Sequence, residues 1–242
     1  MKKILVTGAG GGIGSTLVDY LIGKGHYVLC QYRSKKENLL SVMANHDLDF
    51  DERCFYADLT DEFSVAEMHK QISEKHGNIW AVLNLAGGSS NGMSWKLPIS
   101  EFKQIVDTNL LSTFVVCREF IPEMREQNGG RIINVSSVVA HTGAVGASHY
   151  CAAKAGIEGL SRSLSLELSN KNITVNSLAL GYYEYGLIDH ISQQGQEDIK
   201  RKTPLRRFGN ASEIGGIISY LVSDEGSFAT GQVFHINGGI HL

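Results

Sequence analysis

Short apolar runs alternate with longer amphipathic stretches along almost the whole chain. Runs such as KKILVT and ITVNSLAL are rich in β-branched residues and are followed at once by glycine, which is typical of buried parallel strands. We predict seven strands, at residues 2–7, 26–33, 53–59, 79–88, 131–137, 173–180 and 232–238. Strict alternation of strand and helix implies a parallel sheet with right-handed crossovers.

The amphipathic stretches between these strands have the period of a helix. In the first of them, Ile13, Leu17, Leu21 and Ile22 form one apolar stripe. Helices are predicted within residues 8–25, 35–46, 62–76 and 100–127, from residue 148 onward, and near 211–223. No linker or repeat divides the chain, so we predict one α/β domain over residues 1–242, with helices on both faces of a doubly wound sheet.

Composition excludes several classes of partner. The 242-residue chain has a formal net charge of −3 and 19% charged residues, which gives no basic footprint for nucleic acid or an anionic membrane. No apolar segment approaches the roughly 18 residues that a membrane-spanning helix needs. The four cysteines are scattered without zinc-type spacing, so we predict reduced thiols, no metal site and a cytoplasmic protein.

A glycine-rich turn, TGAGGGIG, follows the first predicted strand. Gly8, Gly12 and Gly14 allow a tight turn and a close approach of a ligand to the backbone. The helix that follows offers its free N-terminal amides to a pyrophosphate. We therefore predict a dinucleotide site at the carboxyl ends of the strands. Its predicted contacts are Gly8, Gly11, Gly12, Ile13, Gly14, Asp58, Leu59, Asn84, Ala86, Gly87 and Gly181.

The end of the second strand indicates which dinucleotide is bound. An acidic residue there would accept hydrogen bonds from the ribose of NAD, whereas an arginine accommodates the 2′-phosphate of NADP. The sequence at this point is Gln31-Tyr32-Arg33-Ser34, without a carboxylate. We predict that Arg33 and Ser34 bind phosphate and that NADP(H) is favoured over NAD(H). The alternative for Arg33 is an ordinary solvated side chain.

Ser137, Tyr150 and Lys154 form a candidate proton-transfer site. If residues from 148 onward are helical, Tyr150 and Lys154 lie one turn apart on the same face. An ammonium group beside a phenol favours the phenolate, so we expect Lys154 to lower the pKa of Tyr150. The Ser137 hydroxyl is expected to hold a substrate oxygen against the phenol. A tyrosine and a lysine at this spacing are not specific on their own.

The whole set of motifs resembles the short-chain dehydrogenase/reductase family over residues 3–240. The shared segments are the TGxxxGIG turn, NLAG, DTNLLSTF, the Ser137 site, YxxxK and the HINGG ending. Within the family, QYRS after the second strand, PLRRFG at 204–209 and the NGG ending are most similar to bacterial 3-oxoacyl-[acyl-carrier-protein] reductases. The resemblance implies a Rossmann fold and a homotetramer (or dimer) built through the helices at 100–127 and 148–170.

The resemblance also implies catalytic roles. Tyr150 would be the general acid, Lys154 would bind the nicotinamide ribose, and Ser137 would hold the substrate carbonyl. Asn109 would hold a water in a proton relay. The implied activity is NADP(H)-dependent reduction of a ketone to a secondary alcohol, with a 3-oxoacyl thioester as one candidate substrate. The alternatives are a sugar, polyol or polyketide carbonyl, or a dinucleotide-binding sensor or partner subunit with little catalysis.

Two positions depart from the family pattern. Leu180 stands where a proline is usual, and Tyr185 stands near the usual threonine that binds the nicotinamide carboxamide. Tyr182, Tyr183 and Tyr185 could line an aromatic pocket or serve as packing or interface residues, and both alternatives are open. Substrate choice is therefore expected to depend on the 181–200 segment and the loop at 88–97. Candidate pocket walls in that loop are Met93 and Trp95.

Overall fold

The structure, a computed structural model, describes residues 2–185, 188 and 191–242. Seven strands form one parallel sheet in the order β3-β2-β1-β4-β5-β6-β7. They are β1 (Lys3–Thr7), β2 (Tyr27–Tyr32), β3 (Cys54–Tyr56), β4 (Ala81–Asn84), β5 (Gly130–Ser137), β6 (Ile173–Leu180) and β7 (Val233–Ile236). The prediction of a seven-stranded, doubly wound parallel sheet is confirmed.

Helices connect these strands. They are α1 (Gly12–Gly23), α2 (Lys36–Asn45), α3 (Phe50–Arg53), α4 (Glu62–His76), α5 (Ile99–Val106), α6 (Ser112–Glu126), α7 (Val139–Thr142), α8 (Ser148–Leu168), α9 (Gln193–Lys202) and α10 (Ser212–Val222). A π-helical turn, Asp107–Leu111, joins α5 to α6, so the predicted helix at 100–127 is continuous. The sequence pattern does not predict α3, α7 or α9, because the first two are single turns and α9 buries no residue.

Both faces of the sheet are covered by helices, as neighbouring side chains of β1 demonstrate. Val6 packs in a core cluster with Leu17 of α1 and Ile218 of α10. Leu5 belongs to the opposite cluster, which contains Phe120 of α6. Successive side chains of a strand lie on opposite faces, so a strand buried on both sides is predominantly apolar. Burial of each such large side chain contributes about 1.5–3 kcal/mol.

The direction of the chain across the sheet reverses beside β1. From β1 the chain runs outward through β2 and β3, then returns to β4 on the other side of β1. Such a switch point leaves a crevice at the carboxyl ends of the strands, where open α/β sheets bind their ligands. Among the helices that the structure describes, none is long and apolar enough to cross a membrane.

Candidate active site

A cleft of about 500 Å³ opens at this switch point. The predicted site residues that line it are Gly8, Gly11, Gly12, Ile13, Gly14, Arg33, Ser34, Asp58, Leu59, Ala86, Gly87, Asn109, Ser137, Tyr150, Lys154 and Gly181. Asn84 differs from its prediction, because its buried amide donates to Asn134 Oδ1 at 2.8 Å and is not part of the cleft wall. The structure thus brings the predicted nucleotide residues and the predicted proton-transfer residues into one cavity.

The turn after β1 is so close to its neighbours that two of its positions require glycine. Gly8 has a φ of +65°, and a Cβ there would lie 2.6 Å from the Cα of Ala86. A Cβ on Gly14 would lie 2.4 Å from the Gly8 carbonyl oxygen. The helix α1 begins at Gly12 without a side-chain cap, and its first residues line the cleft. Free amides at a helix N-terminus bind anions, so this cradle fits the pyrophosphate of a dinucleotide.

Two buried polar side chains, not singled out in the sequence analysis, hold this turn in place. Gln31 on β2 accepts a hydrogen bond from the Gly8 amide at 2.9 Å and donates one to the Ala57 carbonyl at 2.7 Å. Thr7 Oγ1 accepts hydrogen bonds from the two amides that follow β4, at 3.1 and 3.2 Å. The sequence feature that could have identified Gln31 is its position inside an otherwise apolar strand. Since buried polar groups are almost always paired, such a residue is expected to hold a specific partner.

Arg33 and Asp58 form an ion pair at the rim of the cleft, with 3.4 Å between Nη1 and Oδ2. Their side chains are 53% and 37% exposed, so the pair contributes little to stability. Hydrogen bonds from the amide and hydroxyl of Thr60 lower the pKa of Asp58, and Arg33 adds a smaller effect. A guanidinium has five N–H donors, so Arg33 can bind a further anion while it remains paired.

Ser137 is the last residue of β5, and Tyr150 lies in the first turn of α8. Burial raises the pKa of the Tyr150 phenol, and the neighbouring Ser137 hydroxyl offsets part of this rise. The prediction that Lys154 lowers the pKa of Tyr150 below its ordinary value is therefore wrong. The lysine ammonium lies 5.6 Å from the centre of the tyrosine ring, and the loss of solvation outweighs its effect. Tyr150 carries its proton at neutral pH.

Lys154 is buried, with 4% of its surface exposed. Its Nζ donates a hydrogen bond to the carbonyl oxygen of Val135 at 2.9 Å. Burial lowers the pKa of Lys154 to about 8, because the charged form loses solvation. An ammonium has three donors, so this side chain can also bind ligand hydroxyls in the cleft.

The π-helical turn places Asn109 beside Lys154. Its Nδ2 donates to the carbonyl oxygens of Gly88 and Ile105, both at 2.8 Å. Its Oδ1 is buried and has no hydrogen-bond partner among the described residues. A Cβ on Gly87 would lie 2.5 Å from this Oδ1 and 3.4 Å from the Lys154 Nζ. The amide oxygen and the ammonium therefore converge on one glycine, and an unpaired buried acceptor there is suited to a water molecule.

A family model described as enoyl-(acyl carrier protein) reductase matches residues 8–241. The chain belongs to the short-chain dehydrogenase/reductase family. The 3-oxoacyl-[acyl-carrier-protein] reductase FabG of Staphylococcus aureus (strain Mu50) is 33% identical over 242 residues, with 100% of this chain and 98% of the relative covered. The same enzyme of Rickettsia conorii is 33% identical over 243 residues, with 99% and 96% covered. Nodulation protein G of Rhizobium sp. (strain N33) is 33% identical over 241 residues, with 100% and 97% covered.

The two residues that depart from the pattern of this family, Leu180 and Tyr185, lie at the end of β6 and shortly after it. Leu180 is buried where β6 pairs with β7 and also lines the cleft. Tyr183 is a packing residue, since its hydroxyl donates to the Ile236 carbonyl at 3.0 Å. All three tyrosines, Tyr182, Tyr183 and Tyr185, line the cleft, so Tyr183 serves in both packing and the cleft wall. Residues 186, 187, 189 and 190 of the 181–200 segment lie outside the described residues.

The loop at 88–97 lines the cleft at Gly88, and beyond that residue it contacts the start of α8 and the residues just before it. Ser90 Oγ lies 2.9 Å from His149 Nε2, and the Gly92 amide donates to the carbonyl of residue 146 at 2.9 Å. Met93 and Trp95 are 42% and 75% exposed and are not part of the cleft wall. The prediction that they form pocket walls is therefore wrong for the described cleft.

Proposed function

We propose that this chain is an NADP(H)-dependent reductase that converts a ketone to a secondary alcohol, with a 3-oxoacyl thioester as the first candidate substrate. The observation that carries the proposal is the convergence of Ser137, Tyr150, Lys154 and Asn109 in a cleft continuous with the glycine turn. A dinucleotide-binding protein without chemistry has no need for these four polar groups together. The names of the FabG relatives support the choice of substrate class.

The cofactor supplies the hydride, and the chain's own residues bind and orient it. The amides at the start of α1 are suited to the pyrophosphate, and Arg33 with Ser34 is suited to the 2′-phosphate. Lys154 is suited to the hydroxyls of the nicotinamide ribose. Gly87 leaves room for a sugar, because its missing Cβ would otherwise fill the space beside Asn109 and Lys154.

The protonation states of the site residues determine the direction of proton transfer. The pKa of Tyr150 is raised by burial, so the phenol holds the proton that ketone reduction requires on the substrate oxygen. The Ser137 hydroxyl holds that oxygen beside the phenol. Once the proton has left, the Lys154 ammonium stabilises the phenolate. Asn109 Oδ1 and the lysine then provide a route by which a water restores the proton.

The reductase activity is tested by following NADPH absorbance with acetoacetyl thioesters and with a panel of sugar, polyol and polyketide ketones. Removal of a general acid costs about 10²–10⁴-fold, so we expect Tyr150→Phe to lose at least about 100-fold. Tyr220→Phe, the same chemical change at a half-exposed position of α10, is the control. An unchanged rate in Tyr150→Phe contradicts the mechanism.

The same panel separates the alternatives. Leu180 and the tyrosines Tyr182 and Tyr185 on the cleft wall favour a sugar, polyol or polyketide ketone as the second candidate. Turnover of one of these with none of the thioesters would identify that substrate class. Tight NADPH binding without turnover of any carbonyl would instead favour a sensor or partner subunit.

Cofactor choice is tested by titrating NADPH and NADH on the wild type and on Arg33→Ala. A charge-assisted hydrogen bond contributes about 1.5–3 kcal/mol, so we expect Arg33→Ala to weaken NADPH about 10–100-fold and to change NADH little. Arg118→Ala is the matched control, because Arg118 is an exposed arginine paired with Glu62 at 2.9 Å. Equal affinity of the wild type for the two cofactors would contradict the role of Arg33.

We also propose a cytoplasmic homotetramer (or dimer). Leu111 and Phe114 leave 40% and 42% of their surfaces exposed next to α8, where Leu166 is 82% exposed, and apolar residues on a helical face support an interface between copies. The four cysteines are free, which suits a reducing compartment. Sedimentation equilibrium should give the mass of a multimer for the wild type and a smaller mass for Leu166→Glu; a monomeric wild type would contradict the assembly.

A further inference from the structure

Three histidines from separate parts of the chain meet on the side of the sheet formed by β7. His141 lies in α7, His235 lies in β7, and His241 follows β7. One ring nitrogen of each lies within 4.8 Å of those of the other two. The ring centres are 4.7 to 5.2 Å apart. None of the three belongs to the wall of the catalytic cleft.

A rigid turn after β7 brings His241 back to His235. Gly238 and Gly239 have φ values of +64° and +84°, a region that glycine adopts without strain. The side chain of Asn237 fastens the turn, because it accepts from the Gly239 amide and donates to the His241 carbonyl, both at 2.9 Å. The backbone conformation of this turn therefore places the imidazoles of His235 and His241 close together.

A buried carboxylate orients the third histidine. Glu158 Oε1 lies 2.9 Å from His141 Nε2 and accepts a hydrogen bond from the Ser136 hydroxyl at 2.7 Å. The Glu158 side chain is only 6% exposed. A carboxylate that receives one ring N–H leaves the other ring nitrogen free to bind a metal and makes it more basic. This arrangement assigns the proton to Nε2 of His141 and leaves Nδ1 facing outward from the carboxylate.

We propose that His141, His235 and His241 bind one divalent zinc ion per chain, with a water molecule in the fourth position. Imidazole nitrogens are preferred zinc ligands, and zinc–nitrogen bonds of about 2.0–2.1 Å place tetrahedral nitrogens about 3.4 Å apart. The observed upper limit of 4.8 Å requires the rings to close by roughly 1.4 Å or less. His235 is exposed and His241 is partly exposed, so rotation of their side chains can bring the ring nitrogens to this spacing.

The zinc ion would link separate segments of the fold, although its fourth position is left to water and not closed by a protein ligand as in purely structural sites. It would tie α7, which follows Ser137 almost directly, to the end of β7 and the turn beyond it. Metal binds to the neutral form of imidazole. Cysteine spacing could not predict this site, because its ligands are histidines and His141 is far from the other two in the chain.

Zinc binding is tested on the untagged full chain after dialysis against a chelator. Titration with ZnCl₂ in a calorimeter should saturate at one Zn²⁺ per chain, and Zn²⁺ should raise the Tm. Loss of an oriented partner of a ligand costs about 10–100-fold in metal affinity, so Glu158→Gln should weaken binding by that amount and His235→Gln or His241→Gln by more. Co²⁺ should give the strong visible absorption of a tetrahedral site.

His46→Gln is the matched control, because His46 is a partly exposed histidine that pairs with Asp19 at 2.9 Å, away from the cluster. It should leave the zinc stoichiometry and affinity unchanged. Absence of saturable binding to the wild type would overturn the proposal, and so would equal binding by the double variant His235→Gln/His241→Gln. The wild-type titration and the Co²⁺ spectrum decide the question even if a variant does not fold.

Discussion

Replacement of Gly87 by alanine tests how tightly the candidate site is assembled. The added Cβ would lie 2.5 Å from Asn109 Oδ1, whereas ordinary contacts begin near 3.4 Å. The φ of Gly87 is not in the left-handed region, so the effect should come from this contact and not from backbone strain. Asn109 Oδ1 would have to retreat by about 1 Å to relieve it.

The magnitude follows from the two hydrogen bonds that hold Asn109. Its Nδ2 donates to two carbonyl oxygens, both at 2.8 Å, and a shift of about 1 Å takes at least one of them beyond hydrogen-bond range. A buried polar group left without its partner costs about 1–3 kcal/mol. We therefore expect Gly87→Ala to lower the free energy of unfolding by about 1–3 kcal/mol. NADPH binding should weaken as well, because Asn109 and Lys154 move apart.

The assay is urea unfolding, followed by a fluorescence titration with NADPH. Gly216→Ala in α10 is the control, since a Cβ there would meet no atom within 4 Å. Alanine inside a helix is favoured over glycine by roughly 0.5–1 kcal/mol, so the two variants should shift stability in opposite directions. A Gly87→Ala protein within about 0.5 kcal/mol of the wild type, with unchanged NADPH affinity, would refute the assembly described for Asn109.

Two further predictions concern buried polar groups. Lys154→Met should be more stable than the wild type by up to about 3 kcal/mol at pH 7, because burial lowers the pKa of Lys154 from 10.5 to about 8. The free-energy cost of burying the charged Lys154 is complete below pH 8 and is relieved as the pH rises to 10.5. The free energies of unfolding of the two proteins, measured in urea, should therefore converge across this range. A difference that stays constant with pH would contradict the prediction. Gln31→Leu leaves the Gly8 amide and the Ala57 carbonyl unpaired. This variant should lose about 1–3 kcal/mol of stability, measured by thermal unfolding, and should bind NADPH more weakly. An unaltered Tm would contradict the role of Gln31 in holding the glycine turn.

The sheet could be predicted from the sequence because its strands are buried on both faces. Such strands are predominantly apolar, although buried polar residues such as Gln31 and Asn134 interrupt them, and they stand out from the amphipathic helices between them. The common face of Tyr150 and Lys154 follows in the same way from helical spacing alone. These features depend only on residues that are neighbours along the chain.

Other features depend on which residues become neighbours in space. The raised pKa of Tyr150 comes from burial, which no local spacing encodes, and the contact expected of Asn84 is replaced by its bond to Asn134. Gln31 finds its partners on other strands and turns. The meeting of His141 with two histidines near β7 likewise depends on the strand order.

The π-helical turn at Asp107–Leu111 has a consequence for chain length. The Asn109 side chain donates to the Ile105 carbonyl four residues earlier at 2.8 Å, which is the acceptor that the Asn109 backbone amide would use in an α-helix. Because a π turn accommodates one extra residue within a single wider turn, deletion of one residue from it should restore an α-helical turn and leave α5 and α6 in nearly the same register. The deletion should therefore displace Asn109 from its place beside Lys154 while the apolar faces of both helices stay packed.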